Sequence, residues 1–222
     1  MSDNPTALRI ADPGIRALFT LDARWQAWLD VEAALAEAEA ELGIVPAAAA
    51  EEIRAKARLE LLDRSCIEEG LRRTAHQLVP LIWELARICE GEAGDYVHWG
   101  ATTQNIVQTG DLLLLRRAHA IFLGQIGGIL AALAELAEGS AEMALPGRTH
   151  GQHAVPVTFG LKVAAWIDEF CRHVERLQGI EGRLFVAMLG GAAGSAASFA
   201  EHGLAVQAAL ARRLDMGEMA VP

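Results

Sequence analysis

The sequence predicts an all-α protein: an N-terminal helical domain over residues 1–104, then the first long helices of an incomplete bundle over 105–222. Three observations lead there. About a fifth of the residues are alanine, the strongest helix former. Apolar residues recur at spacings of three and four, the stripe of an amphipathic helix. Thr, Val and aromatic residues nowhere alternate over a strand's length, so the period-two signal of a sheet is missing.

The elements follow in order. Thr20 or Asp22 caps a first long helix running to about Leu42, with Trp25, Trp28, Val31, Leu35, Ala38 and Leu42 on its stripe. Gly43 is the residue that stops it. Pro46 opens a second helix to about Arg58, since proline suits a first turn. A short helix follows Asp63, and another is expected from about His76 to Cys89 with Pro80 in its first turn. Residues 91–104, with Gly94 and Gly100, form the first long break.

A very long helix is expected from about Asn105 to Glu142. Leu112, Leu115, Phe122, Ile126, Ile129, Leu133 and Leu136 make a seam for another long helix. At 1.5 Å per residue it spans about 55 Å, too long for a compact domain of this size, so its ends should pack on other chains. Gly127 and Gly128 weaken it locally or permit a close helix approach. A second break covers 145–156, a long helix covers about 157–178, and a last helix covers about 199–214. Two long helices and part of a third do not close a bundle, so partner chains or further sequence must complete it.

Composition excludes several function classes. A net charge of −10 argues against a nucleic-acid groove, which needs clustered Lys and Arg. The most apolar run, 120–134, is interrupted by Gln125 and falls short of the roughly 18 residues of a membrane helix. Residues 1–5 are polar and unlike a signal peptide. Cys66, Cys89 and Cys171 are odd in number and far apart, the pattern of reduced thiols in a cytoplasmic protein.

Polar residues collect in the two breaks flanking the longest helix: Tyr96-Val97-His98-Trp99-Gly100-Ala101-Thr102-Thr103-Gln104-Asn105 and Gly147-Arg148-Thr149-His150-Gly151-Gln152-His153. Hydroxyls, amides and histidines beside helix starts suit a carboxylate or phosphate, because free N–H groups and the positive dipole end lie there. Plainer readings compete. Thr102, Thr103 and Asn105 fit ordinary helix caps. His76 fits a capped histidine at a helix start. His150 and His153 lack a third ligand at helical spacing, so no metal site is expected. The run Gly190-Gly191-Ala192-Ala193-Gly194-Ser195 lacks the Lys and preceding strand of a phosphate loop and reads as a tight turn. His119, His173 and His202 fall within helical patterns as surface or packing residues.

The segments YVHWGATTQNIVQT (96–109) and GRTHGQHAVPVTFG (147–160), in that order around a long helix, resemble the two active-site regions of the fumarase/aspartase superfamily. Residues 24–32 and 41–46 are similar to its adenylosuccinate lyase and carboxymuconate cycloisomerase branch. The resemblance implies an all-α homotetramer with active sites shared among subunits. It implies anti elimination of a succinyl-type di- or tricarboxylate with release of fumarate, and no cofactor, metal, nucleic acid or membrane. His150 matches the proposed general acid, Thr149 its substrate-binding neighbour, and His76 the second active-site histidine. His98 matches a residue beside the substrate. Thr102, Thr103, Gln104, Asn105 and Gln152 would hold carboxylates.

The sequence also departs from the branch. The serine-bearing loop that supplies the general base would lie beyond residue 222, so this chain alone is expected to be inactive, a lyase fragment or association module. Arg9 stands where an Arg-Tyr pair holds the nucleotide, but Ile10 replaces the tyrosine. Asn105 stands where many relatives carry Asp. His150 stands where bacterial cycloisomerases commonly carry Trp, although Trp99-Gly100-Ala101-Thr102 leans toward them. C–N cleavage is the leading expectation and cycloisomerisation the alternative.

Overall fold

Helices dominate the computed structural model, which describes residues 11–221. They are α1 (Ile15–Leu18), α2 (Leu21–Glu41), α3 (Ala47–Lys56), α4 (Arg64–Thr74), α5 (Val79–Ile88), α6 (Thr103–Gly139), α7 (Phe159–Leu184) and α8 (Gly203–Arg213). Two short strand pairs accompany them, β1 (Ala144–Thr149) with β2 (Gln152–Thr158), and β3 (Val186–Ala187) with β4 (Gly217–Glu218). The chain divides into two compact units: residues up to Arg117 together with those from Gly182 onward, and Ala118–Glu181.

The first unit is organised on α2. Thr20 accepts a hydrogen bond from Ala23 N–H at its start, and Gly43 at φ +72° ends it in the left-handed region that glycine adopts without penalty. The predicted stripe is buried at Trp25, Trp28, Val31, Leu35 and Ala38, and its last member, Leu42, is half-buried. Trp25 and Trp28 are core residues, as the periodicity indicated. Ile53 of α3, Leu81 and Leu85 of α5, and Val206 and Leu210 of α8 complete this core. The first turns of α6 join it through Ile106 and Leu113.

Several expectations need correction. α5 begins at Val79 rather than His76, so Pro80 does fall in its first turn but His76 lies outside the helix. The break at 145–156 is not a loop. It is an antiparallel hairpin, β1–β2, pairing Ala144 with Thr158 and Thr149 with Gln152, with a register shift at Gly147. Pro146, Gly147 and Pro156 hide its alternation. α7 runs on to Leu184, through Gly179 and Gly182, well past the expected end. The last helix begins at Gly203, after a 3₁₀ turn over Ala197–His202.

In the second unit α6 and α7 run antiparallel. His119 Nε2 lies 3.1 Å from Leu177 O at one end, and Gly160 abuts the backbone of Ala137 and Ala141 at the other. A Cβ on Gly160 would sit 2.8 Å from Ala137 O, so this close crossing needs glycine. The predicted seam residues Phe122, Ile129 and Leu136 are exposed in the single chain. By length and composition α6 is apolar enough to cross a membrane, which corrects the sequence-based exclusion. That exclusion counted uninterrupted apolar residues, whereas a helix of this length tolerates an isolated Gln125.

Candidate active site

The first polar group lies where α5 and α6 begin. His76 sits in the connection between α4 and α5, just after Ala75 at φ +53°. Its Nδ1 accepts hydrogen bonds from Leu78 N–H at 3.3 Å and Val79 N–H at 3.1 Å. Two backbone donors on Nδ1 assign the proton of the neutral ring to Nε2. That nitrogen lies 3.3 Å from Thr103 Oγ1, at the start of α6. One ring nitrogen thus caps the start of α5, and the other presents a donor to Thr103.

Thr102, Thr103 and Gln104, with Gln77, line a pocket of about 640 Å³ that continues along α6 past Gln108 to Asp111 and Leu115. This is within the usual size range for small-molecule sites. Its polar groups at the α6 end are neutral hydroxyls and amides beside a helix start, an arrangement that favours a carboxylate. Asp111 carries a charge at the other end, with Arg24 at 3.6 Å. Gln77, Gln108 and Asp111 had no signal in the sequence, because a pocket's lining follows from packing and not from spacing.

Asn105 is buried, and its Oδ1 accepts from Thr102 N–H and Gly191 N–H, both at 3.1 Å. The first bond mirrors a capping box, in which the third helical residue reaches back to the cap. The second ties the loop to the turn at 190–194. Phe199 closes the loop from behind. Gly100, at φ +65°, is so close to it that a Cβ would stand 2.4 Å from Phe199 Cε1. Gly100→Ala should therefore destabilise by more than the roughly 1–2 kcal/mol of a left-handed alanine alone. The expected reading is a lower urea midpoint at unchanged m-value.

His98 belongs to the same loop and also has positive φ, +64°. Its Nδ1 lies 2.6 Å from Oε1 of Glu32, a buried residue of α2. Burial lowers the pKa of the His98 imidazole, but the hydrogen bond and the charge of Glu32 outweigh it, and the net shift is upward. Glu32 lies beside the apolar stripe of α2 rather than on it, so periodicity alone does not mark it as buried.

The second polar group is the tip of the β1–β2 hairpin, in the other compact unit. His150 and Gly151 occupy the two central turn positions with φ +48° and +72°, the conformation of a type I′ turn. Thr149 and Gln152 flank them as paired residues, and all four are exposed in the single chain. Arg9 lies outside the described residues. No cluster of three His, Cys, Asp or Glu that could hold a metal occurs among the described residues.

Comparison with known proteins places the chain in a family. A family profile described as Lyase matches residues 7–220. The chain belongs to the fumarase/aspartase superfamily of lyases. It is 44% identical over 206 residues to adenylosuccinate lyase of Methanothermobacter thermautotrophicus, covering 93% of this chain and 46% of that protein. It is 43% identical over 202 residues to N-acetyl-S-(2-succino)cysteine lyase of Enterococcus italicus, covering 91% and 44%. Among solved structures, 3-carboxy-cis,cis-muconate lactonizing enzyme from Pseudomonas putida superposes with a TM-score of 0.88 at 36% identity, covering 95% of this chain and 49% of that one. The lyase chain thus spans about half the length of the relatives it matches.

Proposed function

We propose that this lyase eliminates a succinyl-type substrate with C–N cleavage and releases fumarate. The carrying observation is the pocket at the start of α6, where Thr102, Thr103 and Gln104 offer neutral donors and His76 is fixed with its Nε2 proton toward Thr103. A base removes a proton from the methylene carbon next to one carboxylate. The resulting carbanion is delocalised into that carboxylate, which the neutral donors stabilise. The C–N bond breaks as the C=C bond forms, and His150 gives its proton to the leaving nitrogen. Thr149 and Gln152 flank the acid and hold a carboxylate. Asn105 acts indirectly, by fixing Thr102 and the turn at 190–194. The resemblance assigns the base to a serine of the superfamily's serine-bearing loop.

The exposed seam of α6 supports assembly as a cytoplasmic homotetramer with shared sites, in which the apolar helix packs on other helices rather than in lipid. Cycloisomerisation of a carboxymuconate is the second reading, favoured by the Trp99–Thr102 stretch and by the solved lactonizing enzyme above. The test incubates the native protein separately with an N-succinyl amine, an S-succinyl thioether and a carboxymuconate, with products followed by NMR. Fumarate from the N-succinyl amine is expected. Fumarate from the thioether alone would replace nitrogen by sulfur as leaving atom, and a lactone would select the second reading. No product from folded protein would leave a non-catalytic helical module.

A further inference from the structure

We propose that Glu32 is a positioning residue that holds His98 as an imidazolium, with Nε2 presented to the anionic substrate. The inference rests on reading the 96–105 loop as a substrate loop, and it adds a fixed cation to a site whose other donors are neutral.

The argument begins with α2. Glu32 is 1% exposed among apolar neighbours, and its Oε2 is buried without a hydrogen-bond partner. A buried carboxylate is costly unless its charge is paired. The pairing group is His98, whose Nδ1 approaches Oε1 to 2.6 Å, the short distance of a charge-assisted bond. Glu39 lies seven residues further along the same helix and is also buried. Burial, reinforced by the charge of Glu32, raises its pKa to about 9, so it is neutral at pH 7. Of the two acids, Glu32 is the one that faces His98.

The loop side is equally specific. His98 is held at φ +64°, sparsely populated by residues other than glycine, and such strain collects at functional sites. With Nδ1 taken by Glu32, Nε2 is the nitrogen left for a ligand, and 22% of the side chain remains accessible. Thr102, on the pocket wall, follows four residues later. Arg24 is already set against Asp111 and is not free to serve an anion. His98 does not itself line the α6 pocket, but it stands on the loop that leads into Thr102, and a dianion bound against that loop gains from a cation already partly desolvated.

The test follows His98 by NMR titration of histidine-labelled native protein, with fumarate as the binding probe. In the wild type the His98 midpoint should lie above the ordinary histidine value of about 6.5. In Glu32→Gln it should fall by at least about one pH unit, because burial persists without the charge. Fumarate should bind several-fold more weakly above the His98 midpoint, and about tenfold more weakly to Glu32→Gln at neutral pH. If Glu32→Gln does not fold, the wild-type midpoint and the pH dependence of fumarate binding decide. A wild-type midpoint at or below the ordinary value overturns the proposal. So does a raised midpoint with pH-independent fumarate binding, which would make the pair structural only. The functional reading fails separately, through absence of fumarate release from succinyl substrates while His98 still titrates high.

Discussion

Replacing His150 with asparagine should lower fumarate release by the native protein by at least about two orders of magnitude, with the fold retained. The proposed acid delivers a proton to a leaving nitrogen, and a positioned acid is typically worth about 10²–10⁴ in rate. Asparagine is the informative replacement because His150 sits at φ +48° in a two-residue turn with Gly151 at +72°. Asn tolerates that region better than most residues, so the hairpin survives while the imidazole is lost. Alanine would add roughly 1–2 kcal/mol of left-handed strain and blur the reading. The measurement is turnover at saturating substrate beside a urea unfolding midpoint. Turnover within a few-fold of wild type removes His150 as the acid. A parallel loss of stability would instead assign the effect to the turn.

That turn also shows where the sequence was opaque. The helices on strong stripes were legible, because burial of one face imposes a period that composition records. Thr20, Gly43 and Asp63 marked helix ends by local chemistry alone. The hairpin was not legible. Pro146, Gly147 and Pro156 break its alternation, and His150-Gly151 lacks the Asn-Gly or Asp-Gly signature of its turn type. The site divided in the same way. The residues around Thr102 were visible as a polar cluster beside a helix start. The link from His76 to Thr103 spans 27 positions and exists only through packing. Glu32 and Glu39 were hidden for a related reason: periodicity locates the centre of a buried face but not its width. α2 is buried around most of its circumference, so both acids lie inside although neither was on the named stripe.

Glu39 carries the second large expected effect, on stability and its pH dependence. It is fully buried, and neither carboxylate oxygen has a hydrogen-bond partner. Burial first, and then the charge of Glu32, raise its pKa from 4.5 to about 9. The folded state therefore keeps a proton that the unfolded chain loses between pH 4.5 and 9. Stability must fall as pH rises through that window, by about 1.4 kcal/mol per pH unit from this group. At pH 7 the accumulated cost is roughly 3 kcal/mol, a large share of the 5–15 kcal/mol that typically stabilises a domain. Glu39→Gln removes the titration but leaves an unpartnered amide whose cost does not vary with pH. The two stability curves should therefore converge or cross near pH 5, and the variant should be the more stable by a few kcal/mol at pH 8. Urea unfolding midpoints taken from pH 5 to 9 test this directly. Equal slopes for wild type and variant would mean that Glu39 is ionised in the folded protein. α2 would then carry two buried charges, and His98 could balance only one of them.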